Sequence, residues 1–129
     1  MPDRSGDWFA QAERDLQAAR AQLDAGFPEW ACFIAQQAAG KALKAVLLSW
    51  GAESRGHSVT QLLRAVAERA PVTDELRDAG RVLDRYYIPA RYPNGYAEGK
   101  PGDYIVTEDA TNATSGSEKI VRFSHGLLA

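Results

Sequence analysis

The 129-residue sequence is poor in the residues that metal centres and disulfide frameworks need. It has a single cysteine, Cys32, and two histidines. This excludes an intrachain disulfide or a multi-thiolate metal site and disfavours a histidine-based one. No apolar run approaches the ~20 residues of a membrane span, and the first residues, MPDRSGD, do not resemble a secretory signal. We therefore expect a cytoplasmic protein with no cofactor, no metal and no membrane association.

Composition otherwise indicates an ordinary globular chain. Hydrophobic residues make up 45% and charged residues 25% of the sequence, which argues against intrinsic disorder. A chain of this length predicts one domain, residues 1–129, because domains commonly contain about 100–150 residues.

The charge is unevenly distributed along the chain. The formal net charge is -2, but residues 41–91 carry nine basic and six acidic side chains. A protein that grips duplex DNA along its length is usually basic overall, because phosphate neutralisation supplies most of the affinity. The middle segment therefore indicates either a local anion-binding surface or the solvated faces of ordinary helices.

Helical periodicity dominates the sequence. Apolar residues at spacings of three and four predict a stripe on the first helix, and the second helix is apolar nearly all round, which is typical of the middle of a bundle. Capping residues, Gly and Pro predict where the helices begin and end. The expected fold is all-α, an antiparallel up-and-down four-helix bundle with an additional short helix. The predicted helices are Ser5 to Gly26 with the stripe Trp8, Ala12, Leu16, Ala19 and Leu23, then Pro28 to Trp50, a short helix from Ser58 to Pro71, Thr73 to Pro89, and one from Thr107.

The segment 91–106 is predicted to be a loop. It contains two Pro and three Gly, which interrupt helices. We expect Tyr92, Tyr96 and Tyr104 to hold it together, and a long structureless loop is often functional.

A polar stripe interrupts the apolar second helix. Gln37, Lys41 and Lys44 lie at i, i+4 and i+7 and so share a face. Two ammonium groups one turn apart repel each other and need a carboxylate or an anion nearby. The stripe indicates either lysines that reach to water from the rim of the core or a surface for a phosphate-bearing partner.

Aromatic and basic residues alternate where the fourth predicted helix ends, in the sequence DRYYIPARYP from Asp84. Such residues can stack on bases and pair with phosphates. In the alternative interpretation Tyr86 and Tyr87 belong to the core, and Arg85 or Arg91 pairs with Asp84.

The histidines carry weaker signals. His57 follows Arg55 and Gly56 just before the capping Ser58, where it could orient a ligand or tie the loop to the bundle. His125 lies near the end of the last helix. Phosphate-binding Gly-rich loops, HExxH, CxxC and nucleophile elbows are absent from the sequence.

Three motifs in order resemble the HEPN domain family (higher eukaryotes and prokaryotes nucleotide-binding). FIAQQAAGKALKA from Phe33 is similar to its "QAxEKxLKA" helix, GHSVTQLL from Gly56 to its "H-x-L-xx-LL" segment, and DRYYIPARYP from Asp84 to its "LDxYYIxxRYP" stretch. The resemblance covers residues 7–125.

This resemblance implies an all-α bundle, usually a homodimer, akin to the substrate-binding domain of kanamycin nucleotidyltransferase. It also implies a minimal nucleotidyltransferase as partner, often within a toxin–antitoxin module. Several branches of the family are metal-independent ribonucleases with an Arg-x4-6-His motif. Here one residue separates Arg55 from His57, two separate Arg122 from His125, and Gly40 replaces a common Glu. These departures favour binding over catalysis.

Two functions from different classes follow. The first is a non-catalytic subunit that binds a nucleotide or RNA together with a nucleotidyltransferase partner. The second is a ribonuclease toxin that pairs His57 or His125 with Arg91 or Arg122. The sequence does not specify the nucleotide, the partner or the dimer geometry. The residues expected to bind the nucleotide are Gln37, Lys41, Lys44, His57, Arg85, Tyr87 and Arg91.

Overall fold

The computed structural model describes residues 3–53 and 56–128, and within these ranges the chain forms helices and no strands. The predicted all-α class is therefore confirmed. No helix in the part of the chain described is long and apolar enough to cross a membrane. The helices are α1 (Ser5–Asp24), α2 (Pro28–Ser49), α3 (Val59–Ala67), α4 (Asp74–Asp84), α5 (Pro101–Tyr104) and α6 (Thr107–Leu128), with a 3-10 turn at Pro93–Gly95.

Helix α2 lies at the centre of the bundle and packs against α1, α3, α4, α5 and α6. Its sequence explains this position, because twelve of its 22 residues are buried and many of these are Ala or Gly, which allow close approach. Helices α3 and α4 lie beside each other and pack on α2, while α6 also contacts α1 and α4. The predicted central helix is confirmed.

Helix α4 is shorter than the sequence predicts. It ends at Asp84, five residues before Pro89, so α3 and α4 have 9 and 11 residues and only three helices are long. The amides of Tyr86 and Tyr87 donate to the carbonyls of Leu83 and Asp84, three residues back, which tightens the chain into turns.

The buried face of α1 also differs from the predicted stripe. Phe9 is buried, whereas Trp8 is 37% exposed. Both residues fit a spacing of three or four with Ala12, so the period alone does not choose between them. The N-terminus differs as well, because Arg4 is the N-cap and the Asp3 carboxylate accepts the amide of Ser5 at 2.8 Å.

The predicted caps of α3 and α4 are confirmed. The hydroxyl of Ser58 accepts the amide of Gln61 at 3.2 Å, and that of Thr73 accepts the amide of Leu76 at 3.3 Å. Each cap of this kind contributes about 1 kcal/mol.

The segment after α4 is partly ordered by aromatic contacts. The rings of Tyr96 and Tyr104 stack with centroids 4.3 Å apart, and the hydroxyl of Tyr104 donates to the carbonyl of Glu98. Tyr92 is half exposed. The segment is not a plain loop, because α5 interrupts it.

Candidate functional site

The polar stripe of α2 lines a cavity beside α1 and the start of α3. The cavity has a volume of about 120 Å³. It contains four of the seven residues that the sequence predicts for the site, together with three others. Its lining is Trp8, Gln36, Gln37, Gly40, Lys41, Lys44 and His57.

Lys41 has a carboxylate partner. Its ammonium lies 2.6 Å from the carboxylate of Asp15 on α1, and the two side chains are 31% and 14% exposed. Because the pair is partly shielded from water, Asp15 offsets most of the Lys41 charge. The carboxylate that the lysine pair requires therefore comes from α1.

Lys44 has no such partner. No carboxylate oxygen of a described residue lies within 4 Å of its ammonium, which instead lies 5.7 Å from the centroid of the Trp8 ring. Burial and then the neighbouring charge of Lys41 lower the pKa of Lys44. An anion in the cavity would relieve both effects, so Lys44 is the stronger anion-binding candidate.

Gln36 joins the cavity to the start of α3. It is 1% exposed. Its side-chain nitrogen donates to the carbonyl of His57 at 2.6 Å, and its oxygen accepts from the Gln37 amide group at 2.8 Å. The sequence prediction of the site did not include Gln36. The available signal for it was a glutamine within an otherwise apolar helix.

Asp84 holds the first turn of α3. Its carboxylate accepts the backbone amides of Val59 at 2.8 Å and Thr60 at 3.0 Å, and the hydroxyl of Ser58 at 3.0 Å. The Gln36 side chain donates to it at 3.3 Å. A carboxylate is favourable at a helix N-terminus, where amides and the helix dipole are positive. The pairing of Asp84 with Arg85 or Arg91 in the alternative interpretation is therefore wrong, whereas Tyr86 does pack against the core as that interpretation expects.

His57 stacks on Tyr87. The ring centroids are 5.0 Å apart and the planes differ by 18°, and His57 remains exposed. A second cavity of about 270 Å³ is lined by Gln36, His57, Ser58, Asp84 and Tyr87. Because the two cavities share Gln36 and His57, we treat them as one cleft, which we call the α2–α3 cleft.

Arg91 lies next to this cleft, behind Tyr87. Its guanidinium is 4.4 Å from the Phe33 ring centroid, 4.8 Å from that of Tyr87 and 5.1 Å from that of Tyr92. Its Nε donates to the carbonyl of Tyr87 at 2.9 Å. Arg91 therefore fixes the aromatic wall of the cleft.

Arg85 is not brought into the cleft. It is the exposed C-cap residue of α4 and lines neither cavity. Within residues 3–53 and 56–128, no hydrogen bond or ion pair joins it to another predicted site residue. Adjacent residues in a helical conformation do not share a face, so the side chain of Arg85 does not follow that of Asp84 toward α3.

Of the residues of the alternative catalytic site, His57 and Arg91 both lie against Tyr87 at the cleft, whereas Arg122 and His125 lie on α6. Arg122 forms an ion pair with Glu118 on the exposed side of α6, and the His125 ring lies 5.5 Å from that of Phe9. Arg55 lies outside the described residues. Burial raises the pKa of the Cys32 thiol to about 12, so this buried cysteine is protonated and is a poor nucleophile at neutral pH.

Three solved structures share this fold over nearly their whole length. TT1696 from Thermus thermophilus is 38% identical with a TM-score of 0.95, covering 98% of this chain and 100% of that one. ST0689, an archaeal HEPN homologue, is 37% identical with a TM-score of 0.84 and full coverage of both chains. A HEPN domain protein from Thermotoga maritima, TM0613, is 34% identical with a TM-score of 0.78, covering 95% and 97%. No curated protein matches the chain.

The fold and the site define a small all-α protein with a basic and aromatic cleft along its central helix. A profile of the HEPN domain matches residues 5–127. The chain belongs to the HEPN domain family, as its motifs indicate. The likeness to kanamycin nucleotidyltransferase stays a prediction.

Proposed function

We propose that this protein is a non-catalytic, nucleotide-binding subunit of the cytoplasm, and that the α2–α3 cleft is its binding site. The observation that carries this proposal is the convergence of Lys44, Lys41 and Gln37 with exposed aromatic rings in one cleft. Its cavities, of about 120 and 270 Å³, are each smaller than a typical small-ligand pocket of about 300–1,000 Å³, and only the two together reach the lower end of that range.

The phosphates would bind on α2. Lys44 supplies an ammonium that Asp15 does not neutralise, and Gln37 adds an amide donor two turns earlier. The rise between residues 37 and 44 is roughly 10 Å at 1.5 Å per residue. This length allows a phosphate and its sugar to lie along the helix.

The base would stack at the other end of the cleft. His57 is exposed on one side and is backed by the Tyr87 ring, which Arg91 in turn holds in place. Stacking on an aromatic ring contributes about 1–3 kcal/mol per base and tolerates different bases. The proposal therefore predicts affinity for several nucleotides rather than strict base selection.

The carboxylate in the cleft supports binding over catalysis. Asp84 already accepts four hydrogen bonds, from Gln36, Ser58, Val59 and Thr60. A carboxylate with these lone pairs occupied is a poor general base. Among the described residues, the carboxylate nearest the start of α3 is therefore unavailable to act with His57, in agreement with the missing Arg-x4-6-His spacing.

Calorimetric titration with ATP and GTP tests the proposal. We expect Lys44→Ala to weaken binding about 10- to 100-fold, the loss of one charge-assisted contact of about 1.5–3 kcal/mol. Asp15→Asn should strengthen binding several-fold, because it frees the Lys41 charge. The matched control is Lys119→Ala, an exposed lysine on α6 that pairs with Glu75. Equal affinity of all three variants and the wild type, or no binding at all, would contradict the proposal.

A protein partner is the second part of this proposal. The family resemblance supports a minimal nucleotidyltransferase as partner, in a toxin–antitoxin pair. Co-expression with a minimal nucleotidyltransferase from the same genome, followed by affinity purification of the tagged partner, tests it. A stable complex would support the pairing, and recovery of the partner alone would count against it.

Ribonuclease activity is the alternative function. It is favoured by one observation: the exposed His57 ring and the Arg91 cation both lie against the ring of Tyr87. Incubation of labelled RNA with the pure protein tests this alternative. Cleavage that is lost in His57→Ala would support it, and intact RNA would exclude it.

A further inference from the structure

Helices α3 and α4 approach each other closely. The approach requires Gly80, since a Cβ at this position would lie 2.9 Å from Cδ1 of Leu63 and 3.3 Å from Cγ1 of Val59. The groove between the two helices contains a cavity of about 40 Å³. It is lined by Thr60, Leu63, Arg64, Arg77 and Arg81. None of these residues lines the α2–α3 cleft.

Three arginines therefore line one small cavity. Arg77 lies 3.6 Å from the carboxylate of Asp74, and Arg81 lies 2.8 Å from that of Asp78. No ion pair is formed by Arg64 within the described part of the chain. The cluster retains one net positive charge.

The two ion pairs do not lock the arginines in place. Each joins residues three positions apart on an exposed helix surface, and the side chain of Asp74 is 97% exposed. Exposed pairs of this kind are weak and are screened by salt. An oxyanion that contacts all three guanidinium groups at once would compete with them, since the planar Arg fork binds two oxygens in parallel.

We propose that this groove, the α3–α4 arginine groove, is a phosphate-binding site separate from the α2–α3 cleft. A cavity of about 40 Å³ exceeds the ~10–15 Å³ that one water needs on this measure, so a single phosphate group fits at its mouth. The half-buried Thr60 adds a hydroxyl that donates no hydrogen bond to the described residues. The ligand class is a phosphate ester or free phosphate, and the proposal does not depend on nucleotide binding elsewhere.

Nuclear magnetic resonance titration with inorganic phosphate at low ionic strength tests the groove. We expect saturable shifts of the amides of Thr60, Arg64 and Arg81, and at least tenfold weaker binding in Arg64→Gln. Arg14→Gln, an exposed arginine on α1, and Lys44→Ala should leave these shifts unchanged. Circular dichroism confirms that each variant is folded.

Two results would overturn the proposal. One is the absence of saturable shifts at the groove. The other is an equal loss of affinity in Arg64→Gln and Arg14→Gln, which would indicate general charge screening. Competition with oligothymidylate then identifies the source of the phosphate. Displacement assigns the site to phosphodiester backbones, and failure to displace restricts it to free phosphate and phosphomonoesters.

Discussion

At the scale of single residues, Lys41 and Lys44 show how one turn of helix separates two chemical roles. Asp15 from α1 reaches Lys41, 26 residues away in sequence, but does not reach Lys44. Lys44 instead contacts the face of Trp8, a cation–π interaction. The same helix face thus presents one neutralised and one uncompensated ammonium.

The pH dependence of stability follows from the Lys44 pKa. Because burial and the Lys41 charge lower it from 10.5, the unfolded chain binds this proton more tightly than the folded chain. Stability therefore rises with pH as Lys44 loses its proton, in the window just below pH 10.5. We expect Lys44→Met to remove this rise, measured as the free energy of unfolding in urea at several pH values.

The control for that series is Lys119→Met, which also removes a lysine charge but lies on α6 beside Glu75. The difference in unfolding free energy between wild type and Lys44→Met should grow more negative as pH falls through this window. A difference that is constant with pH, or that matches the control, would show that burial of Lys44 does not disfavour its charge.

At the scale of elements, Asp84 joins two helices that the sequence presents as separate units. It is the last residue of α4, yet its carboxylate accepts the first free amides of α3. The N-terminus of α3 also carries His57 and Ser58, so the shape of the α2–α3 cleft depends on this contact.

Removal of this carboxylate should destabilise the fold. We expect Asp84→Ala to lower the free energy of unfolding by about 1–3 kcal/mol, because it leaves the partly buried amides without an acceptor. Chemical denaturation measures this change. Asp78→Ala, which removes an exposed carboxylate from the same helix, should change stability by less than about 0.5 kcal/mol. Equal effects would contradict the interhelical role of Asp84.

Because α3 and α4 approach each other closely, we expect Gly→Ala substitutions at two positions to change stability in opposite directions. Gly80→Ala introduces a Cβ 2.9 Å from Leu63, and we expect a net loss of about 1 kcal/mol, because overpacking costs about 1–3 kcal/mol and exceeds the gain in helix propensity. Gly6→Ala in α1, where a Cβ meets nothing within 4 Å, should be neutral or stabilising. Thermal unfolding distinguishes the two signs, and stabilisation by Gly80→Ala would contradict the packing argument.

At the scale of the whole molecule, α2 presents one uncovered face although it is the central helix. Trp30 and Leu48 are exposed at its two ends, and the Trp30 ring meets that of Phe33 at 6.2 Å. Trp30 and Phe33 at one end of this face and Leu48 at the other lie on either side of the cleft residues Gln37, Lys41 and Lys44, at spacings of three and four. A second copy of the chain, the homodimer that the family resemblance implies, would pack on these apolar ends and leave the cleft residues to the ligand.

Light scattering after size-exclusion chromatography tests the dimer. We expect a mass of twice 14.1 kDa for the wild type and a shift toward the monomer in Trp30→Glu, because a buried unpaired charge is strongly unfavourable in an interface. Val106→Glu serves as the control, since Val106 is also exposed but lies just before α6. A monomeric wild type would disprove the predicted homodimer.

The helices other than α5, most of their caps and the family were predictable from the sequence alone. Each of these depends on residues within one or two turns: the capping hydroxyls of Ser58 and Thr73, or the period of the apolar residues in α2. The burial of Phe9 rather than Trp8, the early end of α4 and the exclusion of Arg85 from the cleft were not predictable. In these cases two local patterns fit the sequence equally well, and packing against another helix selects between them.

The sequence by itself thus established an all-α HEPN chain with Gln37, Lys41 and Lys44 on one face of its second helix. Tertiary structure alone decided that Asp15 neutralises Lys41, that Asp84 caps α3 and that three arginines surround one groove between α3 and α4. The physical reason is distance along the chain: these contacts join residues from different helices. The energies of these contacts depend on how the helices are placed relative to one another, which no local sequence pattern encodes.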